Sequence, residues 1–177
     1  MSDKREGLIK EFLDMSGCHG KFDANYMQTP RRFISVWNAI RNVEAPQMKC
    51  FPLKGKASLI LIKGYEAWSM CPHHLLPVKY TFKIGYIPQA KVVGLSKLPR
   101  LADYVLRCFP LQEEIANEVT HRLDEALDPK GAGCIVHGEH LCMQMRGIKS
   151  PCITAASSSF TGIFLLLESS RHEFLAL

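Results

Sequence analysis

The chain has 177 residues, 47% of them hydrophobic, and carries 22 Lys and Arg against 17 Asp and Glu. That length suits one domain of ordinary size with a proper core, and the composition excludes wholesale disorder. The formal charge of +5 favours an anionic ligand, but with no long cationic run it falls short of the basic footprint of a nucleic-acid binder.

The first predicted element is a short amphipathic helix over residues 4–14, with Leu8, Ile9, Phe12 and Leu13 on one face. The start MSDKREGLIKEFLD is charged and lacks the apolar stretch of a secretory signal. Residues 16–25, SGCHGKFDAN, read as a loop. In QTPRRFISVWNAI, Thr29 is a good N-cap, Pro30 suits the first helical position, and Phe33, Val36, Trp37 and Ile40 follow helical spacing. Pro46 and Pro52 bracket an irregular connection. Ala57–Lys63 and Glu66–Met70 look like two strands joined by a turn at Gly64. Val78, Tyr80, Phe82, Ile84 and Tyr86 alternate with Lys79, Thr81, Lys83 and Gly85, which predicts a strand with one buried face ended by Pro88.

Two helices follow. Ser96 can cap the first, whose apolar face is Leu98, Leu101, Ala102 and Val105, with Cys108 a further candidate. Pro110 breaks it. The second carries Leu111, Ile115, Val119, Leu123 and Leu127 at steps of four and stops at Asp128-Pro129-Lys130-Gly131. Strands resume at Gly133–Cys142 and around Ile153–Leu167, where Phe164-Leu-Leu-Leu167 fits a buried strand. Strands grouped in pairs around two helices predict an α+β layout, an antiparallel sheet with helices on one side. No stretch approaches the roughly 18 apolar residues of a membrane span.

Seven cysteines, an odd number, argue against a disulfide framework and for the reducing cytosol. Cys18, Cys50, Cys108, Cys134 and Cys152 read as small hydrophobes, and His19, His121, His137 and His172 as surface or satisfied polar residues. Two clusters differ. In Met70-Cys-Pro-His-His-Leu-Leu-Pro77 a tight turn can point Cys71 and His74 inward together. In Gly138-Glu-His-Leu-Cys142, a strand would project His140 and Cys142 to the same face. A Cys/His/Cys set leaves one tetrahedral position open, the mark of a catalytic zinc. Spacing alone leaves both metal binding and ordinary packing open.

The motifs together resemble GTP cyclohydrolase I, a family that opens the imidazole ring of GTP. CPHHLLP resembles its CEHHLLP-type zinc motif, with Pro72 where the family usually has Glu. GYIPQAKVVGLSKLPR, LQEE, HLCMQMRGI, QTPRR and the terminal RHEFLAL resemble further blocks, in the family's order, from about residue 26 to 177.

The resemblance implies that Cys71, His74 and Cys142 ligate Zn2+ and that His73 and His140 are the acid/base histidines. Glu113, helped by Gln112, would anchor the guanine edge. Ser96, Lys97, Arg100 and Arg146 would hold the triphosphate. It implies the tunnelling fold over residues 51–177, an antiparallel four-stranded sheet with two helices on one face, preceded by an N-terminal helical segment over residues 1–50. It also implies a toroidal homodecamer with sites at subunit interfaces. Lys54, Lys56 and Lys63 are candidates for the basic residues that the family draws from the segment before its zinc motif. Two alternatives stand beside this reading: a zinc- and GTP-binding subunit with weakened turnover, and a related tunnelling-fold purine or pterin enzyme. The expected cytoplasmic enzyme needs neither nucleic acid nor membrane.

Overall fold

The computed structural model describes residues 3–17, 26–56 and 58–177. The chain divides into two compact units, Met1–Asn42 and Val43–Leu177. Cys18, His19, Ala57 and most of the loop predicted at residues 16–25 lie outside the described residues.

In the first unit, α1 (Lys4–Met15) is capped by the Asp3 carboxylate, which accepts from the Arg5 backbone N–H. A short 3-10 turn, Tyr26–Gln28, leads into α2 (Thr29–Arg41). Pro30 sits at the helix start as its missing N–H allows, but Thr29 is already helical and makes no side-chain cap. The predicted apolar faces are only partly covered. Leu8, Phe12, Phe33 and Val36 are exposed, whereas Pro30 and Ile34 are buried. The Phe33 and Trp37 rings stack 5.9 Å apart, as residues four apart on one helix can.

The second unit holds two antiparallel sheets. β1 (Cys50–Pro52) pairs with β4 (Lys91–Val93). The main sheet runs β2 (Ile60–Met70), β3 (Pro77–Ile87), β5 (Gly131–His140), β6 (Ala155–Phe160), each antiparallel to the next. Between the two hairpins come α3 (Lys97–Leu106) and α4 (Gln112–Leu127), which pack against one face of the sheet. This is the α+β, helices-on-one-side arrangement that the paired strands predict.

The core follows the period-2 and period-3.6 patterns. Val78, Tyr80, Phe82, Ile84 and Tyr86 of β3 are all buried, against Leu98, Leu101, Ala102 and Val105 of α3 and Ile115, Val119, Leu123 and Leu127 of α4. Full burial of each large aliphatic side chain stabilises the fold by about 1.5–3 kcal/mol. Two hydroxyls tie the layers: Ser69 donates to the Leu106 carbonyl (2.8 Å), and Tyr86 accepts from the Val93 N–H (3.0 Å).

Several expectations need correction. Gly64 is not a turn: β2 runs through it as one strand. Its φ of +73° makes a bulge, where the pairing with β3 shifts between Lys63 and Tyr65. Ser96 makes no side-chain cap to α3 because its own backbone is already helical. Cys108 is exposed beyond the end of α3, and Cys152 is exposed too; Cys134 is fully buried, and burial alone pushes its thiol up. β5 ends at His140, and residues Leu141–Gln144 form a helical turn, α5. Phe164-Leu-Leu-Leu167 is not a strand. Gly162, at φ +53° and ψ −128°, turns the chain out of β6 into α6 (Ile163–Leu166), followed by α7 (Glu168–Ala176). Phe164 is buried while Leu165, Leu166 and Leu167 are exposed, a one-sided pattern that a helical turn produces and a buried strand does not. Among the described residues no helix is long and apolar enough to cross a membrane.

Candidate active site

Antiparallel pairing brings three chain segments to one end of the main sheet. β2 ends at Met70, β3 begins at Pro77, and β5 ends at His140, which pairs with Val78. The connection 71–76 is a closed turn. The Cys71 N–H donates to the Leu76 carbonyl and the Leu75 N–H to the Cys71 carbonyl, both at 2.8 Å, with Leu75 in the left-handed region (φ +52°). That turn buries Cys71 and leaves His73 and His74 at the surface, their Nδ1 atoms 3.9 and 3.8 Å from the Cys71 Sγ.

Cys142 arrives from α5, not from β5. The expected juxtaposition with His140 holds, but the chain makes it by curling into a helical turn directly after the strand. Among the described residues, Cys71, His140 and Cys142 form a group whose ligating atoms all lie within 4.8 Å of one another, and all three residues are buried. His74 lies outside that group, within one contact of Cys71. Two thiols with imidazoles beside them are a soft S/N donor set, which fits zinc better than magnesium or calcium. Burial and the neighbouring Cys71 push the Cys142 thiol up, and the Arg146 guanidinium pulls it back.

His140 is held by a small network. Its Nε2 lies 3.1 Å from the Gln112 Oε1. The Gln112 amide donates from Nε2 to the Val136 carbonyl (3.3 Å) and the Ser157 hydroxyl (3.2 Å), and Ser157 donates back to the Gln112 carbonyl (2.8 Å). With both amide hydrogens so directed, Oε1 is the acceptor; His140 therefore carries its proton on Nε2, and Nδ1 keeps the lone pair. Gln112 is engaged with the protein and orients this imidazole; the sequence pairs it with Glu113 for the base instead. Burial lowers the His140 pKa and the Glu113 carboxylate opposes that shift. Gly138 makes the arrangement possible: a Cβ there would sit 2.3 Å from the Gln112 Oε1 and 3.0 Å from both the His140 Nε2 and the Tyr80 Cε1.

A depression of about 290 Å³ opens onto this group. Cys71, His73, His74, His140 and Cys142 line one side, Gln112 and Glu113 from the first turn of α4 another, and Leu111, Met143 and Ala155 supply apolar wall. Pro72 stands at its rim. Glu113 is exposed and lines the same depression as the imidazoles. A larger depression, about 580 Å³, lies between α3 and α4 around Arg107, Cys108, His121 and Arg122 and contains none of the chemistry.

The cationic residues divide. Arg146, just past α5, is close enough to act on Cys142. Lys97 and Arg100 instead line a separate depression of about 360 Å³ with Asp103 and residues 43–47, and Ser96 is exposed at the start of α3. Within one chain the structure therefore does not bring Ser96, Lys97 and Arg100 to the cysteine–histidine pocket. Sequence reasoning missed Gly138, Ser157 and Tyr80. Gly138 and Ser157 carry no motif signal of their own, and Tyr80 reads only as one more residue on a buried strand face.

A family model described as GTP cyclohydrolase I matches residues 6–177. The GTP cyclohydrolase 1 of Campylobacter jejuni (strain RM1221) is 32% identical over 182 residues, covering 100% of this chain and 95% of that protein. The GTP cyclohydrolase 1 of Aquifex aeolicus is 38% identical over 155 residues, covering 85% of this chain and 82% of that one. Among solved structures, the apo archaeosine synthase QueF-Like aligns at a TM-score of 0.45 and 14% identity, over 62% of this chain and 97% of that chain. With a family match over almost its whole length and relatives this similar, the chain belongs to the GTP cyclohydrolase I family of enzymes.

Proposed function

We propose that the protein is a zinc-dependent GTP cyclohydrolase I, which hydrolyses the guanine imidazole ring of GTP to formate and 7,8-dihydroneopterin triphosphate. The observation that carries this reading is the buried Cys71–His140–Cys142 group opening into a pocket walled by Glu113. Cys71, Cys142 and His74, whose Nδ1 lies 3.8 Å from the Cys71 Sγ, would hold the zinc. When bound, the ion supplies Lewis acidity that makes hydrolysis feasible at neutral pH.

The remaining chemistry belongs to the side chains. Glu113 accepts from guanine N1–H and the 2-amino group together, and rejects adenine because the carboxylate would be left without donors. C8 becomes electrophilic when N7 is protonated; the His73 imidazole is the suitable donor, and His140, whose own proton points to Gln112, offers its Nδ1 lone pair as the base. Gln112 keeps the His140 proton on Nε2 and thereby fixes which nitrogen exchanges protons with substrate. Arg146 and, from a neighbouring subunit, Ser96, Lys97 and Arg100 hold the triphosphate. Their separation from the pocket within one chain supports a site shared between copies, in a toroidal homo-oligomer of the tunnelling fold, a decamer in this reading. The enzyme works in the cytoplasm.

Pro72 at the pocket rim favours one second reading, a zinc- and GTP-binding subunit with weakened turnover, since proline offers neither a carboxylate nor an N–H there. Incubation with GTP or ATP, with zinc quantified per chain, separates the readings. Formate and a pterin absorbance from GTP alone, abolished by a chelator, support the enzyme. GTP binding without formate supports the second reading. Equal turnover of ATP contradicts the role of Glu113. His140→Ala should keep zinc and lose ring opening, and Cys142→Ala should lose both.

A further inference from the structure

We propose that Ser157 is a positioning residue for ring opening, its hydroxyl clamping the Gln112 side chain in the one orientation that sets His140 for the substrate. The inference rests on the cyclohydrolase reading above and extends it to an edge-strand residue that neither ligates metal nor lines the pocket.

Two side chains fix the buried His140 imidazole at the end of β5. The Tyr80 ring packs edge to face against it, 6.0 Å away at 87°, and the Gln112 Oε1 lies 3.1 Å from its Nε2. Tyr80 walls the ring in but does not choose between its nitrogens. The Gln112 oxygen does, because it can only accept. An amide turned end for end would present a donor to the same nitrogen and move the ring proton to the other one. The working form of His140 therefore depends on what holds the Gln112 amide.

Ser157 is half-buried on β6, opposite Val136 of β5, and shares a strand face with Ala155. Ala155 reaches the pocket wall, whereas Ser157 contacts Gln112. Its hydroxyl has one proton. The Gln112 backbone carbonyl, 2.8 Å away, can only accept, so the proton is committed there. Toward the Gln112 Nε2, at 3.2 Å, the same oxygen must therefore accept. One hydroxyl thus holds both the backbone and the side chain of one residue. The other restraint on the amide nitrogen is the Val136 carbonyl at 3.3 Å, just beyond the usual range for such a bond. Without the Ser157 hydroxyl only that long bond remains on the amide nitrogen. Gln112 opens the first turn of α4 and lines the depression, so its amide has space to swing into. His140 then loses the acceptor that orients it.

The test is steady-state formate release from GTP by the full-length protein, for the wild type, Ser157→Ala, Ser157→Thr and Ser157→Val. Threonine and valine share a shape and differ in the hydroxyl alone, so effects on packing cancel between them. Ser157→Ala and Ser157→Val should lower kcat about tenfold and leave KM for GTP within about twofold, because the base loses its orientation while the substrate keeps its contacts. Ser157→Thr should rescue, with kcat within about threefold of wild type, since it restores the hydroxyl. In a Gln112→Ala background, Ser157→Ala should cost no further turnover, because the hydroxyl acts through Gln112. Ser157→Ala at wild-type kcat, or the valine and threonine variants alike, overturns the proposal. So does a further loss in the Gln112→Ala background, a loss confined to KM, or a fall in zinc per chain that matches the fall in kcat. A second measurement needs neither metal nor turnover. Urea unfolding of the metal-free Ser157→Ala, Gln112→Ala and double variants should give non-additive losses, and additive ones overturn the proposal. Failure of the enzyme reading looks different: the wild type itself would release no formate, and the proposal would fall with it.

Discussion

Gly138→Ala probes the network that orients His140. The backbone tolerates alanine in a strand, so the effect is steric. The new Cβ would lie 2.3 Å from the Gln112 Oε1, which must retreat about 1 Å to reach ordinary contact. The amide cannot swing freely. It is held by donated bonds of 3.3 and 3.2 Å to Val136 and Ser157, and Tyr80, 3.0 Å from the new atom, is fully buried. A retreat of that size breaks the 3.1 Å contact with His140 and at least one of the other two. Each neutral hydrogen bond contributes about 0.5–1.5 kcal/mol. Replacing glycine by alanine returns roughly 0.5–1 kcal/mol through the unfolded chain. The net destabilisation should be about 1–2 kcal/mol, read as a lower urea midpoint at unchanged slope. The catalytic loss should be larger, about 100-fold in kcat, because an imidazole displaced by about 1 Å no longer meets its proton. Zinc per chain should not change, since Cys71, His74 and Cys142 are untouched. Adding Gln112→Ala should relieve the clash and recover stability without recovering turnover. Formate release from Gly138→Ala within twofold of wild type, at unchanged stability, would refute the reasoning.

Other perturbations read other parts of the molecule. Glu113→Gln should raise KM for GTP at least tenfold and narrow the preference over ATP, with the zinc content and the unfolding midpoint unchanged, because the side chain is exposed and lines the pocket. Cys71→Ser should abolish stoichiometric zinc, measured by metal analysis after dialysis. Gly64→Ala should cost about 1–2 kcal/mol in urea unfolding, because the bulge holds φ at +73° where a Cβ is strained; no change would mean that the bulge relaxes. Burial raises the Asp124 pKa against the opposing bond from Thr161 (3.0 Å). A raised folded pKa means that the native state holds the proton more tightly. Its contribution to stability is full below the unfolded value near 3.8 and is lost as pH rises through the folded one. Asp124→Asn should flatten the unfolding profile just above pH 4, and an unchanged slope there would count against this.

How much of the molecule was legible follows from the range over which each signal acts. The alternation Val78 to Tyr86 and the four-residue steps of α4 are local periodicities. Each marks the face that must leave water whatever lies opposite, and those faces are buried as expected except for Leu111, which is exposed at the N-cap ahead of α4. The cysteine and histidine clusters were legible as chemistry, since thiols and imidazoles at such spacings are a donor set before any fold is known. Backbone geometry was less legible. Gly64 signals a break in regular conformation equally well as a turn or as a bulge, and only pairing with β3 along its whole length makes it a bulge. Phe164-Leu-Leu-Leu167 is apolar enough for a strand, and the turn at Gly162 sends it into a helix instead.

By itself, then, the amino-acid order determined the buried faces of β3 and α3, most of that of α4, and the donor atoms on offer, because propensity, periodicity and ligand chemistry act within a few residues. Tertiary structure alone decided which of those atoms meet. Strand register sets Tyr80 against Gly138 and Val78 against His140, the α5 turn delivers Cys142, and the first turn of α4 brings Gln112 across to His140. Those partners lie far apart in the chain, and packing the helices against the sheet is what makes them neighbours.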